Sequence, residues 1–271
     1  MKRISYILVI LIIATAFGTV KSAQSKDPND FGPFKGPKPV VVLMQTNPWL
    51  MVIGSDTPMT AIYEDGQVIY LNRERNKKTA YLHKVLGHAD FEKIKQKIIS
   101  FGDFVDVKKD YTLSDATDQP ETLIYMNFDK INVVTRVYGL NVDSRRPLAK
   151  NTVSLPQSVR KLHEYLTHLE FTATQKWEPN YTEVMVWPYE YAEGEPLHWP
   201  KDWPNLDSPN TLKRNDSYSI FVPGTNAEKL RNFLEELKEK QAVEIGGKKW
   251  SVGFRPVFPS EPVWRKAFEA K

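Results

Sequence analysis

Three Trp-Pro pairs fall between Val186 and Pro209, in the stretch VWPYEYAEGEPLHWPKDWPNLDSP, beside Tyr189, Tyr191, His198 and five acidic residues. Proline pushes the residue before it toward extended geometry, so Trp187, Trp199 and Trp203 are each biased away from helix. Indole faces on an extended, acid-lined chain suit stacking on sugar rings or on an extended peptide. The candidate binding residues are therefore Trp199 and Trp203, with Tyr189, Tyr191 and His198. A second reading competes: a long irregular excursion needs anchors, and large aromatics pinned into the body supply them. Trp187 ends the strand-like run YTEVMVW and is assigned to the core.

Other reactive residue types lack the spacing their chemistry needs. His163 and His168 lie five apart, which turns a helix by roughly 500° and splays the rings by about 140°, whereas zinc ligands four apart share a face. Ser158 and Lys161 match an S-x-x-K nucleophile element, but no S-D-N or K-T-G accompanies them. No G-x-S-x-G, G-x-x-x-x-G-K or G-x-G-x-x-G occurs, which removes support for serine hydrolases of the usual type, P-loop enzymes and dinucleotide enzymes. No metal site and no cofactor are expected. Asp103, Asp106, Asp110, Asp115 and Asp118 line one loop. Asp115 and Asp118 would serve a glycan hydrolase only if one met a second carboxylate in a different environment. Solvated loop acids are the plainer reading.

The elements that must position these residues are hairpins and one-sided helices. VVVLM from Val40 reads as a buried strand, and MTAIYEDGQVIYLN as a hairpin on Asp65-Gly66 that sets Tyr63 opposite Val68 and Ile62 opposite Ile69. Asp90 is placed as the cap of a helix with Phe91, Ile94, Ile98 and Phe101 on one face. A hairpin around Asp129-Lys130 puts Ile124, Met126, Phe128, Ile131 and Val133 together. Ser154 and Pro156 open a second helix carrying Val159, Leu162, Leu166 and Leu169. SYSIFV is a strand, Thr225 and Glu228 begin a third helix to about Gln241, and Gly246-Gly247 turns a hairpin with Glu244 opposite Lys249. Strand pairs alternating with single helices give an α+β class: an antiparallel sheet of hairpins with helices packed on it. A smaller C-terminal βαββ unit, residues 212–271, either stands apart from a main unit at 40–190 or continues it, with 191–211 as the Pro/Trp-rich excursion between them.

Lys2 and Arg3, an apolar run from Ile4 to about Phe17 and small residues ending at Ser22 and Ala23 follow the order of a secretory signal, predicting a signal peptide at 1–23 and a flexible leader at 24–39. An uncleaved anchor is the rival. Loss of Lys2, Arg3 and Lys21 takes 37 basic residues to 34 against 33 acidic ones, so the net charge falls from +4 to near +1. That removes the main reason to expect nucleic acid as a partner, and no membrane contact is expected beyond the export signal. The chain has no cysteine, which excludes disulfides, thiol catalysis and thiolate metal sites.

Trp49, Gly54 and Pro58, then IYEDGQVIY (62–70), a lysine-rich helix, DATDQPETLIYMNF (115–128) and VMVWPYEY (184–191) resemble a group of exported bacterial proteins of unassigned function, over residues 49–190. The resemblance implies a periplasmic or extracellular location and an α+β fold, with no activity attached. The expectation is an exported binding or envelope-associated protein. A hydrolase using Asp115 and Asp118, or an inhibitor presenting the Asp65-Gly66 loop, stands as the alternative.

Overall fold

The computed structural model describes residues 31–49, 56–72, 80–140 and 154–270, so the expected signal segment lies outside the described residues. The fold is α+β, with two sheets of mostly antiparallel strands. The first is formed by β1 (Pro39–Gln45), β2 (Pro58–Tyr63), β3 (Gln67–Leu71), β4 (Tyr81–Val85), β5 (Asp110–Thr112), β6 (Glu121–Phe128), β7 (Ile131–Tyr138) and β8 (Gln175–Lys176), in the order β5-β7-β6-β1-β2-β3-β4-β8. The second contains β9 (Tyr181–Pro188), β10 (Leu197–His198), β11 (Leu212–Arg214), β12 (Ser217–Pro223), β13 (Val243–Ile245) and β14 (Lys248–Pro256), in the order β10-β13-β14-β9-β12-β11. Helices α1 (His88–Ile99), α2 (Gln157–Thr167), α3 (Ala227–Glu236) and α4 (Glu261–Glu269) cover them. Among the described residues no helix is long and apolar enough to cross a membrane.

Two of the three hairpins follow their turn residues as expected. Phe128 pairs with Ile131 across Asp129-Lys130, and Glu244 pairs with Lys249 across Gly246-Gly247. The first hairpin is a correction. Ile62 pairs with Val68 and Ala61 with Ile69, one residue off the expected register. Glu64, Asp65 and Gly66 all enter the loop, the Gly66 N–H donates to the Tyr63 carbonyl at 3.0 Å, and Gly66 sits at φ 83°. That three-residue turn ends in a left-handed glycine, which L side chains avoid, and its extra residue moves the pairing by one. Tyr63 and Ile62, neighbours on one strand, face opposite sides of the sheet.

Strand alternation gives the first sheet two apolar faces. Val41, Leu43, Ile62, Val68, Ile124, Met126 and Val133 pack under α1 and α2, which contribute Ile94, Ile98, Val159, Leu162 and Leu166. The other face, with Val42, Met44, Ala61, Tyr63, Ile69, Leu123 and Tyr125, is covered by Phe258, Trp264 and Phe268 from α4 and the link before it. The expected order, closing on a strand pair, contained no α4. The helix caps also differ from expectation. Gly87 rather than Asp90 precedes α1, and Asp90 instead pairs with Lys93 inside the first turn, while α3 stops at Glu236 rather than near Gln241. Leu237 leaves helical geometry at φ −69°, ψ 118°.

The part of the expected leader that the structure describes, from Phe31, packs against the second sheet and the link before α4. Phe31 and Phe34 meet Phe221 of β12 edge-on, with ring centres 5.5 and 5.4 Å away. Ser260 donates through its amide to the Phe34 carbonyl and through its hydroxyl to that of Gly36. Gly36 passes so close to Pro259 that a Cβ there would stand 2.5 Å from the proline Cβ.

A buried charge cluster ties α4 to the second sheet. Arg255 on β14 contacts Glu183 of β9 and, at 2.6 Å, Glu261 of α4, and all three are at most 5% exposed. Arg265 closes the cluster by pairing with Glu261 and donating to the Asp56 carbonyl at 2.7 Å. Burial pushes the Glu261 carboxyl up, but Arg255, Arg265 and the Phe258 amide outweigh it and hold it below the ordinary value. A carboxyl depressed by folding stabilises the fold above its unfolded pKa and loses that contribution as pH falls through the folded one. Glu261→Gln should therefore cost about 3–5 kcal/mol in urea unfolding at pH 7, because Arg255 and Arg265 lose a buried partner. The deficit relative to wild type should shrink as pH drops below about 4.3. A deficit constant over that range would show that Glu261 contributes only shape.

Candidate functional site

The Trp-Pro segment does not present a free aromatic platform. Leu197 and Trp199 donate their amides to the Ala242 and Glu244 carbonyls, so β10 joins β13 as a short parallel edge strand where no strand was expected. Trp199 and Trp203 are 7% and 6% exposed and pack edge-on against each other and against Phe233 of α3, with ring centres 5.1 to 5.6 Å apart. The Trp199 indole N–H donates to the Pro204 carbonyl at 2.8 Å, which meets its one polar need. Both rings therefore belong to the core beside Val243, Ile245 and Trp250. Of the other three candidates, Tyr191 and His198 are exposed and Tyr189 is half-buried. His198 lies 3.7 Å from Glu244. Trp187 is half-buried at the end of β9.

The remaining sequence candidates separate in the same way. Asp103, Asp106, Asp110, Asp115 and Asp118 are all exposed. Among the described residues no three His, Asp or Glu side chains gather to hold a metal ion. The Ser158 hydroxyl is buried and donates to the Asp103 carbonyl at 2.8 Å, so it fixes the loop rather than facing a substrate. At the first hairpin the Gly66 carbonyl accepts from the Leu86 amide at 2.9 Å, leaving Glu64 and Asp65 as the exposed part of that loop.

A concave polar site lies instead at the seam between the sheets. Trp177 follows the edge strand β8, donates its amide to the Tyr81 carbonyl, and sets its ring 4.7 Å from Phe258 and 5.7 Å from Tyr81. Beside it opens a cavity of about 250 Å³, lined by Pro33 and Lys35 of the leader, Gln67 and His83 of β3 and β4, Lys176, Trp177, Glu178 and Asn180, and Val257 with Pro259. His83 pairs with Ile69, whose side chain belongs to the α4-side core, and cross-strand partners share a face. Gln67, two residues from Ile69, projects from that same face.

Two polar atoms of this wall are sealed from the cavity as well as from bulk water. Gln67 Oε1 and His83 Nε2 are shielded from solvent and have no protein partner. Burial pulls the His83 imidazole below its ordinary value, against the opposing pull of the Asp65 carboxylate. The ring is therefore mainly neutral at pH 7 and able to accept or donate one hydrogen bond at each nitrogen according to its tautomer. Lys176 pairs with Glu178 at the mouth. Among the described residues Lys35 has no carboxylate partner. Such an arrangement can hold a small polar molecule, and it contains no pair of carboxyls for acid/base cleavage. A larger groove of about 440 Å³ beside α1 and β7 is lined mainly by Ile99, Phe104, Val105, Ile131 and Val133, with few groups to orient a ligand.

The sequence pointed to aromatics in one segment, whereas the seam gathers side chains from residue 33 to residue 259. The one local signal was Gln67 and His83, polar residues on inward-facing strand positions. No protein-family model, no curated protein and no solved structure matches the chain.

The burial pattern yields a direct test of the Trp-Pro segment. Trp199→Ala should destabilise the protein by about 3–5 kcal/mol in chemical denaturation, as expected for a truncated core indole. Tyr191→Ala, at a side chain 93% exposed, should stay within about 0.5 kcal/mol of wild type. A Trp199→Ala protein as stable as the native one would return that residue to the list of surface contacts.

Proposed function

We propose that this chain is an exported, non-catalytic binding protein that seats a small, polar, glycan-type ligand in the seam cavity. The observation that carries the reading is a concave site whose lining gathers Gln67, His83 and Asn180 beside Trp177. Sugar recognition uses the same combination of amide and imidazole groups beside an aromatic surface. Binding is preferred to hydrolysis because Asp115 and Asp118 are exposed, and an exposed carboxyl lacks the low-dielectric surroundings that raise the pKa of a glycosidase acid. Export rests on the charged, apolar and small-residue order of the first 23 residues and on the resemblance to exported bacterial proteins.

Two measurements test this reading. Expressed with its own N-terminus in a Gram-negative host, the chain should appear in the periplasm with a mass lacking about 22 or 23 residues. Full-length chain in the membrane fraction would instead identify an anchor. In thermal-shift assays with a panel of mono- and disaccharides, at least one should raise the melting temperature of the wild-type protein. Gln67→Leu should melt no more than about 0.5 kcal/mol below wild type, because replacing an unpartnered buried polar group with an apolar one of similar shape is close to neutral. The same substitution should remove the ligand-induced shift, and its persistence would place the ligand elsewhere.

A further inference from the structure

We infer that the open edge of β7 is a docking strand for an extended, uncharged peptide segment, which adds to the first sheet in line with β5 and seats apolar side chains in the groove beside α1. The site is independent of the seam cavity. Strand alternation locates the edge. In an antiparallel ladder every second residue turns its main-chain groups away from the partner strand. Arg136 does so, its amide bonding the Lys109 carbonyl on the side away from β6, and Val134 and Asn132 follow at the same alternation. On that side β5 covers only positions 136–138. Among the described residues no main-chain group bonds Asn132 or Val134 there. An edge left with free donors and acceptors is a template for another main chain.

The groove supplies the pockets. Ile131 and Val133 turn their side chains to the α1 face and line it with Ile99, Phe104 and Val105. Ile99 and Val105 are 38% and 84% exposed, so apolar surface that the fold leaves in water lies beside the open edge. Cross-strand partners share a face, so peptide residues opposite Ile131 and Val133 enter the groove and the one opposite Asn132 does not. The fitting segment is therefore apolar at alternate positions. The uncovered stretch, 131–134, is about 13 Å long at roughly 3.3 Å per residue, room for about four peptide residues. Side chains that could orient a small molecule are few here, and the main chain takes their place. The facing wall, 102–105, is fixed: the Asp103 carbonyl accepts from the Ser158 hydroxyl and its carboxylate from the Val105 amide, each at 2.8 Å. Recessed behind that wall, the edge admits a single extended segment but not the edge of a second folded sheet. The lining has two charges, Asp103 and Lys130, of opposite sign, and neither has an ion-pair partner among the described residues. That balance complements an uncharged segment better than a basic or acidic one.

The probe is fluorescein-Ser-Val-Thr-Val-Ser-amide, titrated by fluorescence anisotropy against the full chain. One comparison peptide has both valines changed to serine. A second is N-methylated at its three central residues, which keeps every side chain and removes the main-chain donors. The parent peptide should bind saturably, and each comparison peptide about tenfold or more weakly, the scale of one lost aliphatic contact or of two lost main-chain hydrogen bonds. In amide hydrogen exchange followed by NMR, Asn132 should exchange rapidly in the free protein and slow down at saturating peptide. Val105→Glu, at a side chain already in water, should leave the melting temperature unchanged and remove most of the parent peptide's binding. Equal binding of the parent and N-methylated peptides would overturn strand addition. An Asn132 amide as protected in the free protein as the ladder amides of β6 would show the edge already taken, by this chain or a second copy, and the assignment would fall. Binding untouched by Val105→Glu, or no binding of the parent peptide, would sink it as well.

Discussion

Arg255 sets the condition that the rest of the structure meets. A guanidinium at 5% exposure is tolerable only when anions surround it, and the two carboxylates that do so come from different places in the chain. Glu183 is built into the central strand of the second sheet, and Glu261 opens the helix that covers the first. The second sheet cannot shift against α4 without stranding a charge. The fold thus has a polar lock in a chain with no cysteine for a disulfide, and its specificity comes from the cost of unpairing rather than from the strength of pairing. At the far end of α4, the Arg136 guanidinium donates to the Phe268 carbonyl at 2.6 Å, where the helix dipole favours a cation, so both ends of the helix are fixed electrostatically.

The seam cavity follows from that lock. Because α4 must leave β14 directly beside Arg255, the link Val257–Ser260 is forced across the gap between the sheets. Val257 donates its amide to the Tyr181 carbonyl, and Phe258 fills the space against Trp177 and Tyr81. The leader then lies along this link, with the missing side chain of Gly36 allowing contact with Pro259. The resulting hollow is walled by loops and strand edges, and its polar groups are those that neither sheet uses.

Local chemistry made much of the fold legible. Asp129-Lys130 and Gly246-Gly247 select two-residue turns, and alternation assigns Ile124, Met126, Phe128, Ile131 and Val133 to one face without further information. The Asp65-Gly66 hairpin resisted because a dipeptide that suits a two-residue loop also suits a three-residue loop ending in glycine, and pattern alone does not choose between them. Helix α4 was missed although Val263, Trp264, Ala267 and Phe268 form a helical stripe, since it is short, follows Pro256 and Pro259 and carries Pro262 in its first turn. The fate of Trp199 and Trp203 depended on α3 bringing Phe233 to them, a tertiary fact that Trp-Pro spacing does not encode. The seam was the least legible part, because its lining residues lie far apart in sequence and each looks like an ordinary surface or strand residue on its own.

Helix α4 also has a meaning in time. A chain made from its N-terminus completes β1, β2, β3, β6 and β7 long before residues 261–269 exist, so the face bearing Val42, Tyr63, Ile69 and Tyr125 stays bare until α4 is made. Exposed strand surface of that kind invites association between incomplete chains. A first sheet covered by a nine-residue helix from far downstream stays open until that helix has been made. Loss of α4 would therefore uncover the earliest-made strands of the molecule.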